Sequence, residues 1–120
     1  MRRIRFGQEM IEAIRSGRKA VTFRGTQKPD GDYIVEKGGK PYWVHEDTGL
    51  RICIICSWYE PDIKDYANRY FDLEGFESPQ AFLDYVSKLY KNPPTSGQAH
   101  LFWAAEGDAA LGNGSIIPVN

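Results

Sequence analysis

The run Leu50–Tyr59 most constrains how this chain can fold. It reads Leu-Arg-Ile-Cys-Ile-Ile-Cys-Ser-Trp-Tyr, apolar and rich in β-branched residues, so it predicts a long strand at the centre of a sheet. Shorter β-type runs separated by turn signals precede it. Asp30-Gly31 leads into Tyr33-Ile34-Val35, Gly38-Gly39 into Tyr42-Trp43-Val44, and Asp47-Thr48-Gly49 is a tight connection into the long strand. Such consecutive hairpins favour an antiparallel, curled sheet.

Helical periodicity lies on either side of this block. Phe6, Met10, Ile11 and Ile14 share one face of a helix from about Gly7 to Ser16, and Gly17 is placed to end it in the left-handed conformation. Lys19–Arg24 alternates instead, with Val21 and Phe23 on one side and Thr22 and Arg24 on the other, which predicts an extended segment. After the long strand, Pro61-Asp62 opens a helix striped by Ile63, Tyr66, Ala67 and Tyr70 and closed by Glu74-Gly75-Phe76. Ser78-Pro79 opens another, as N-cap and first helical residue, with Phe82, Tyr85, Val86 and Leu89 as its buried face and Asn92-Pro93-Pro94 as its stop. A last strand spans Ala99–Ala104. This order is not the βαβ alternation of a doubly wound sheet. It predicts an α+β domain, a small antiparallel or mixed β-barrel with about three flanking helices.

At 120 residues the chain is one domain, taken as 1–105 with 106–120 as a C-terminal extension or tail. With 42% hydrophobic and 26% charged residues it is expected to bury a core without staples. No apolar run is long enough for a membrane span, and the basic start is not followed by the apolar stretch of a secretory leader, so a cytoplasmic location is expected. Cys53 and Cys56 have CxxC spacing, but on a regular strand side chains three apart point to opposite faces. They are therefore read as reduced packing residues, and no metal or other cofactor is expected, since His45 and His100 form no ligand pair with them.

The net charge is −1, but it is unevenly spread. Residues 1–28 carry eight basic residues against Glu9 and Glu12, whereas the remainder holds seven basic and fourteen acidic ones. Two readings fit this asymmetry: an anion site near the N-terminal segment, or basic and acidic segments packed beside each other.

The candidate chemistry lies in Gly17-Arg18-Lys19-Ala20-Val21-Thr22-Phe23-Arg24, which has the form G-x-K-x-x-T-x-R, and in Glu74-Gly75-Phe76 downstream. A threonine hydroxyl is a poor nucleophile until a base removes its proton. A lysine serves as that base if burial lowers its pKa. A carboxylate can orient the lysine or protonate a leaving amine. Lys19, Thr22 and Glu74 supply these three types, and Arg24, on Thr22's side of an extended segment, suits a phosphate or a base carbonyl. Read without further context, the same residues are solvated surface charges, a strand threonine and a helix-end carboxylate.

The G-x-K-x-x-T-x-R motif, with Glu74-Gly75 at its place in the element order, resembles the ASCH family over about residues 6–105. The resemblance implies a PUA-like β-barrel fold and a nucleoside or RNA ligand. A small bacterial branch of that family removes the acetyl group from acetylcytidine with a Lys, a Thr and a Glu, which correspond here to Lys19, Thr22 and Glu74. Other relatives are ribonucleases or RNA-binding modules. An amidohydrolase acting on an acylated cytidine is therefore the first expectation. A non-catalytic RNA-binding module is the second and a ribonuclease the third. A structural interaction domain stays open. Arg24, Arg18 and Trp58 are the expected substrate-binding residues, with Arg51 and Tyr59 as possible neighbours on the same strand. Trp43 is the candidate for exposed base stacking, and His45 reads as a surface strand residue. The chain is longer than the compact amidohydrolases around Glu36–Gly49 and after Glu106.

Overall fold

The computed structural model describes residues 1–38 and 46–107. The element order is β1 (Arg2–Phe6), α1 (Gln8–Arg15), β2 (Val21–Arg24), β3 (Gly31–Lys37), β4 (Glu46–Glu60), α2 (Ile63–Tyr70), α3 (Pro79–Leu89) and β5 (Gly97–Glu106). The expected strand at Tyr42–Val44, with Trp43 and His45, lies outside the described residues, as does most of the expected C-terminal tail.

Among the described residues the five strands form one sheet in the order β1-β3-β4-β5-β2. The long run is its centre, as expected, and β4 takes in Asp47-Thr48-Gly49 as well. The Asp47 carboxylate accepts from the Gly49 N–H, so the turn chemistry read there is present, but within a strand rather than between two. β1 runs parallel to β3 and the other pairs are antiparallel, which makes the sheet mixed. Ile4 and Phe6 are buried while Arg2, Arg3 and Arg5 face out, the alternation of a half-buried strand. Phe6 thus belongs to β1 and not to the helix that follows.

The expected barrel does not close. β1 and β2 are opposite edges of the sheet, with no backbone pairing between them. At the free edge of β1 the Arg5 carbonyl accepts from the Arg24 guanidinium at 2.8 Å, while the Phe6 carbonyl accepts from the Gly38 N–H at 3.1 Å on the β3 side. A side chain from β2 spans a gap that β2's backbone does not fill.

Two apolar clusters flank the sheet. α1 contributes Met10, Ile11, Ala13 and Ile14 to one of them, which also contains Leu50, Ile52, Ile54, Phe102 and Ala104. α2 and α3 cover the other, with Val21, Phe23, Ile63, Tyr66, Phe82 and Ala99. Ala99 on one side, against Phe102 and Ala104 on the other, places the clusters on opposite faces of β5. Each fully buried aliphatic side chain contributes about 1.5–3 kcal/mol.

The helix ends follow the capping signals. Asp62 accepts from the Lys64 N–H, and Ser78 accepts from the Ala81 N–H with Pro79 at the first helical position. Gly17 has φ +77°, as its place after α1 predicts. Two helix details differ from expectation. α2 stops at Tyr70, so Glu74-Gly75-Phe76 follows a further turn. Leu89 is 53% exposed because α3 ends there and its last turn overhangs a cavity.

A β-bulge corrects the reading of the cysteines. Ile54 pairs with Phe102 and Cys56 with Leu101, leaving Ile55 as the extra residue. Cys53 and Cys56 therefore oppose Trp103 and Leu101, two apart on β5, and fall on the same face of the sheet. Both are free; Cys53 is half-buried, but Cys56 is exposed and is not a packing residue.

Candidate functional site

The gap between β1 and β2 opens into a cavity of about 550 Å³. β1 supplies Arg5 and Phe6 to its wall, β2 supplies Thr22, Phe23 and Arg24, and α3 closes it with Phe82, Tyr85 and Leu89. Lys19 and Glu74 also line it. Four residues singled out in the sequence thus meet at one place: Lys19, Thr22, Arg24 and Glu74.

Backbone geometry brings Lys19 to Glu74. The two residues form an isolated antiparallel bridge just before β2 begins. Gly75, next to Glu74, has φ +93°, and a Cβ built there would lie 3.1 Å from Ala13 Cβ and 3.4 Å from Lys19 Cβ. Glycine meets both demands, the left-handed backbone and the close approach to α1 and Lys19.

Lys19, Thr22 and Glu74 are only 5%, 3% and 2% exposed. Lys19 Nζ donates to Glu74 Oε1 at 2.5 Å and to the Glu74 carbonyl at 3.1 Å. Glu74 Oε2 accepts from the Tyr66 hydroxyl at 2.6 Å. Burial pulls the Lys19 pKa below its ordinary value; Glu74 opposes that shift and the Arg24 charge adds to it. Burial, then the Glu74 charge, pushes the Tyr66 phenol far up, so it stays a donor.

Arg24 lies beside this pair. Its Nε donates to Thr22 Oγ1 at 3.2 Å, and its guanidinium sits 4.7 Å from the centre of the Phe6 ring. The backbone of Thr22 is anchored from below by His100, which is fully buried. The Lys28 N–H donates to His100 Nε2 at 2.9 Å, so Nδ1 carries the proton and donates to the Thr22 carbonyl at 3.1 Å. Burial lowers the His100 pKa, which keeps the ring neutral. Both its nitrogens are committed to backbone, so His100 is a structural pin for the strand that carries Thr22.

The other expected binding residues lie elsewhere. Arg18 is exposed in the turn after α1, with its Nε on Ser16 Oγ at 2.9 Å, and does not line the cavity. Trp58 packs on Tyr70 at 5.8 Å and donates to Glu60 Oε2 at 2.5 Å, facing α2 rather than the cavity. Arg51 is buried against Asp47, and Tyr59 is exposed; neither reaches the cavity. Sequence reasoning missed Tyr66, read only as part of an apolar stripe, and Arg5 and Phe6, because β1 was not recognised. The alternation of Ile4 and Phe6 between arginines was the available signal. Tyr85 and Leu89 were read as core of α3 but line the cavity.

Among the described residues no cluster of three or more His, Cys, Asp or Glu is arranged to hold a metal ion, and no helix is long and apolar enough to cross a membrane.

No protein-family model matches the chain, and no curated protein matches it. Among solved structures, the ASCH protein from Zymomonas mobilis is similar, with a TM-score of 0.56 at 22% identity. The match covers 82% of this chain but 64% of that protein, so the chain spans less than two thirds of its length. The likeness shows that the fold is of the ASCH type, in agreement with the resemblance carried by the Lys19–Arg24 motif.

Proposed function

We propose that the cavity binds a cytidine-like nucleoside and that the chain hydrolyses the exocyclic amide of its acylated form. The observation that carries this reading is the buried Lys19–Glu74 pair in the cavity wall, next to Thr22 and Arg24. A buried ion pair is a poor stabilising device compared with apolar packing, and perturbed titratable groups gather at functional sites.

The chemistry follows from the hydrogen bonds. Lys19 spends two N–H donors on Glu74. As a neutral amine it keeps both, and its lone pair is left to accept a proton. Thr22 Oγ1 accepts from Arg24 Nε, which fixes its position while leaving its own proton to give. In the proposed reaction Thr22 Oγ1 attacks the acyl carbon as Lys19 takes its proton. The Lys19 ammonium then protonates the exocyclic nitrogen as the amide C–N bond breaks, and water releases the acyl group from Thr22 in a second step. Lys19 Nζ bonds to Glu74 rather than to Thr22, and catalytic contacts of this kind commonly tighten only with substrate bound. Glu74 orients the amine, and Tyr66 holds Glu74.

The test is release of cytidine from acetylcytidine. Thr22→Ala is expected to abolish turnover while its melting temperature stays within a few degrees of the parent. Turnover unchanged in this variant sinks the mechanism. Turnover of the parent is expected to rise with pH to a plateau below the range where an ordinary lysine titrates, about 10.4, because only neutral Lys19 acts as base. A flat profile removes Lys19 from that role.

Recognition without catalysis, of a base within RNA, is the second reading, favoured by Arg5 and Arg24 at the cavity, cations that form no ion pair among the described residues. It requires binding that weakens steeply with salt and no cytidine release. The ribonuclease reading loses ground, because His100, with both nitrogens bonded to backbone, is not free for acid–base work.

A further inference from the structure

Arg24 stands apart from the other anchored arginines. Arg3 pairs with Glu36, Arg15 with Glu106, Arg51 with Asp47, and Arg69 with Glu60 and Asp65. Arg24 has no carboxylate partner among the described residues. Its guanidinium donates to two neutral oxygens, the Arg5 carbonyl and Thr22 Oγ1, and rests on the Phe6 ring. A charge withdrawn from water is normally paired. The cavity's one lining carboxylate, Glu74, is hydrogen-bonded to Lys19 and acts on Arg24 only through space. Two further cations, Arg5 and Lys88, line the same cavity and form no ion pair among the described residues. Exposed Arg5 and Lys88 alone would be ordinary solvated charges. Beside a partly buried Arg24 they make a wall of three cations that form no ion pair among the described residues.

The space fits a ligand in two parts. Phe6, Phe23, Phe76 and Tyr85 offer aromatic surface for a base. A second cavity of about 680 Å³ shares Gly7, Gly38, Phe76, Tyr85, Lys88 and Leu89 with the first and adds Lys37 together with Glu9 and Asp84. Lys88 therefore stands where the two join. A nucleoside alone leaves the cations facing an uncharged sugar.

We propose that the ligand is a nucleotide, a nucleoside monophosphate whose phosphate is held by Arg24, Arg5 and Lys88. Phosphate suits this set because its three terminal oxygens accept from several donors at once, and the planar guanidinium can offer two of them. The inference rests on the nucleoside reading of the cavity and adds the charged group.

The experiment is a calorimetric titration of the full chain with cytidine and, separately, with cytidine 5′-monophosphate. The monophosphate is expected to bind about tenfold more tightly or better at low salt, the size of a charge-assisted contact, with the advantage shrinking as salt rises. In the Arg5→Ala/Lys88→Ala double variant, both positions being exposed, the advantage of the monophosphate over cytidine is expected to fall to a few-fold. Equal affinity of the two ligands for the parent overturns the inference and leaves the nucleoside reading standing. An advantage untouched in the double variant overturns the assignment of the phosphate to these residues. No binding of either ligand overturns both.

Discussion

Glu60 and Glu74 are both buried carboxylates, and each is held by one cation and one aromatic donor. Glu60 accepts from Arg69 and from the Trp58 indole, both at 2.5 Å. Glu74 accepts from Lys19 at 2.5 Å and from the Tyr66 hydroxyl at 2.6 Å. The difference lies in the cation. The Arg69 side chain is 44% exposed and shared with Asp65, whereas that of Lys19 is 3% exposed and has no other carboxylate. Glu60 lies at the end of β4, where Arg69 ties α2 to it, and it lines neither cavity. Glu74 forms part of the cavity wall. Two nearly identical sets of contacts thus divide into a clamp with its cation at the surface and a pair buried in the cavity wall.

The sharpest way to break this comparison is to remove both cations in turn. Lys19→Met leaves Glu74 buried without its counter-charge and is expected to cost about 3–5 kcal/mol in chemical denaturation. Arg69→Met opens Glu60 to water and is expected to cost far less. Equal losses would erase the contrast. The same calculation explains why Thr22→Ala, and not a lysine variant, is the cleaner test of catalysis.

Tyr66→Phe leaves Glu74 Oε2 without a donor, with an expected loss of about 1–3 kcal/mol. It is also expected to disturb turnover through the position of Glu74, while Trp58→Phe, the matching change at Glu60, leaves turnover intact. Turnover lost in both variants would unite the two carboxylates in one role. Gly75→Ala forces a left-handed alanine against Ala13 and Lys19, at an expected cost of about 1–2 kcal/mol. No measurable loss would mean that the approach of Glu74 to Lys19 does not depend on that glycine.

A smaller effect concerns pH. The folded pKa of His100 lies below its unfolded value of about 6.5. Between the two, the unfolded chain binds a proton that the folded chain refuses, so stability falls as pH drops below about 6.5. His100→Gln is expected to flatten that slope in urea midpoints measured across pH 5–7. A slope that persists in the variant assigns it to other groups.

The sequence carried the local part of this fold well. The caps at Asp62 and Ser78, the left-handed Gly17 and the central Leu50–Tyr59 strand each rest on interactions within a few residues. The motif also brought together the residues that line the cavity, Lys19, Thr22, Arg24 and Glu74. What depended on distant neighbours was lost. β1 is five residues long with three arginines, and only its pairing with β3 makes it a strand. The bulge at Ile55 reversed the faces assigned to Cys53 and Cys56, because a strict period of two cannot register an extra residue. Trp58 was placed at the site from the order of the strands, but its indole is drawn to Glu60 and packs on Tyr70. The open sheet was hidden for the same reason: the residue that spans the gap, Arg24, does so with its side chain.

The strand order also governs when the cavity can exist. The segment bearing Lys19, Thr22 and Arg24 comes early in the chain, yet β2 pairs only with β5, the last strand described. A ribosome therefore releases this segment well before its partner, and it must wait for some seventy further residues. A nascent chain stopped before Gly97 retains every proposed catalytic side chain but lacks the strand that aligns them.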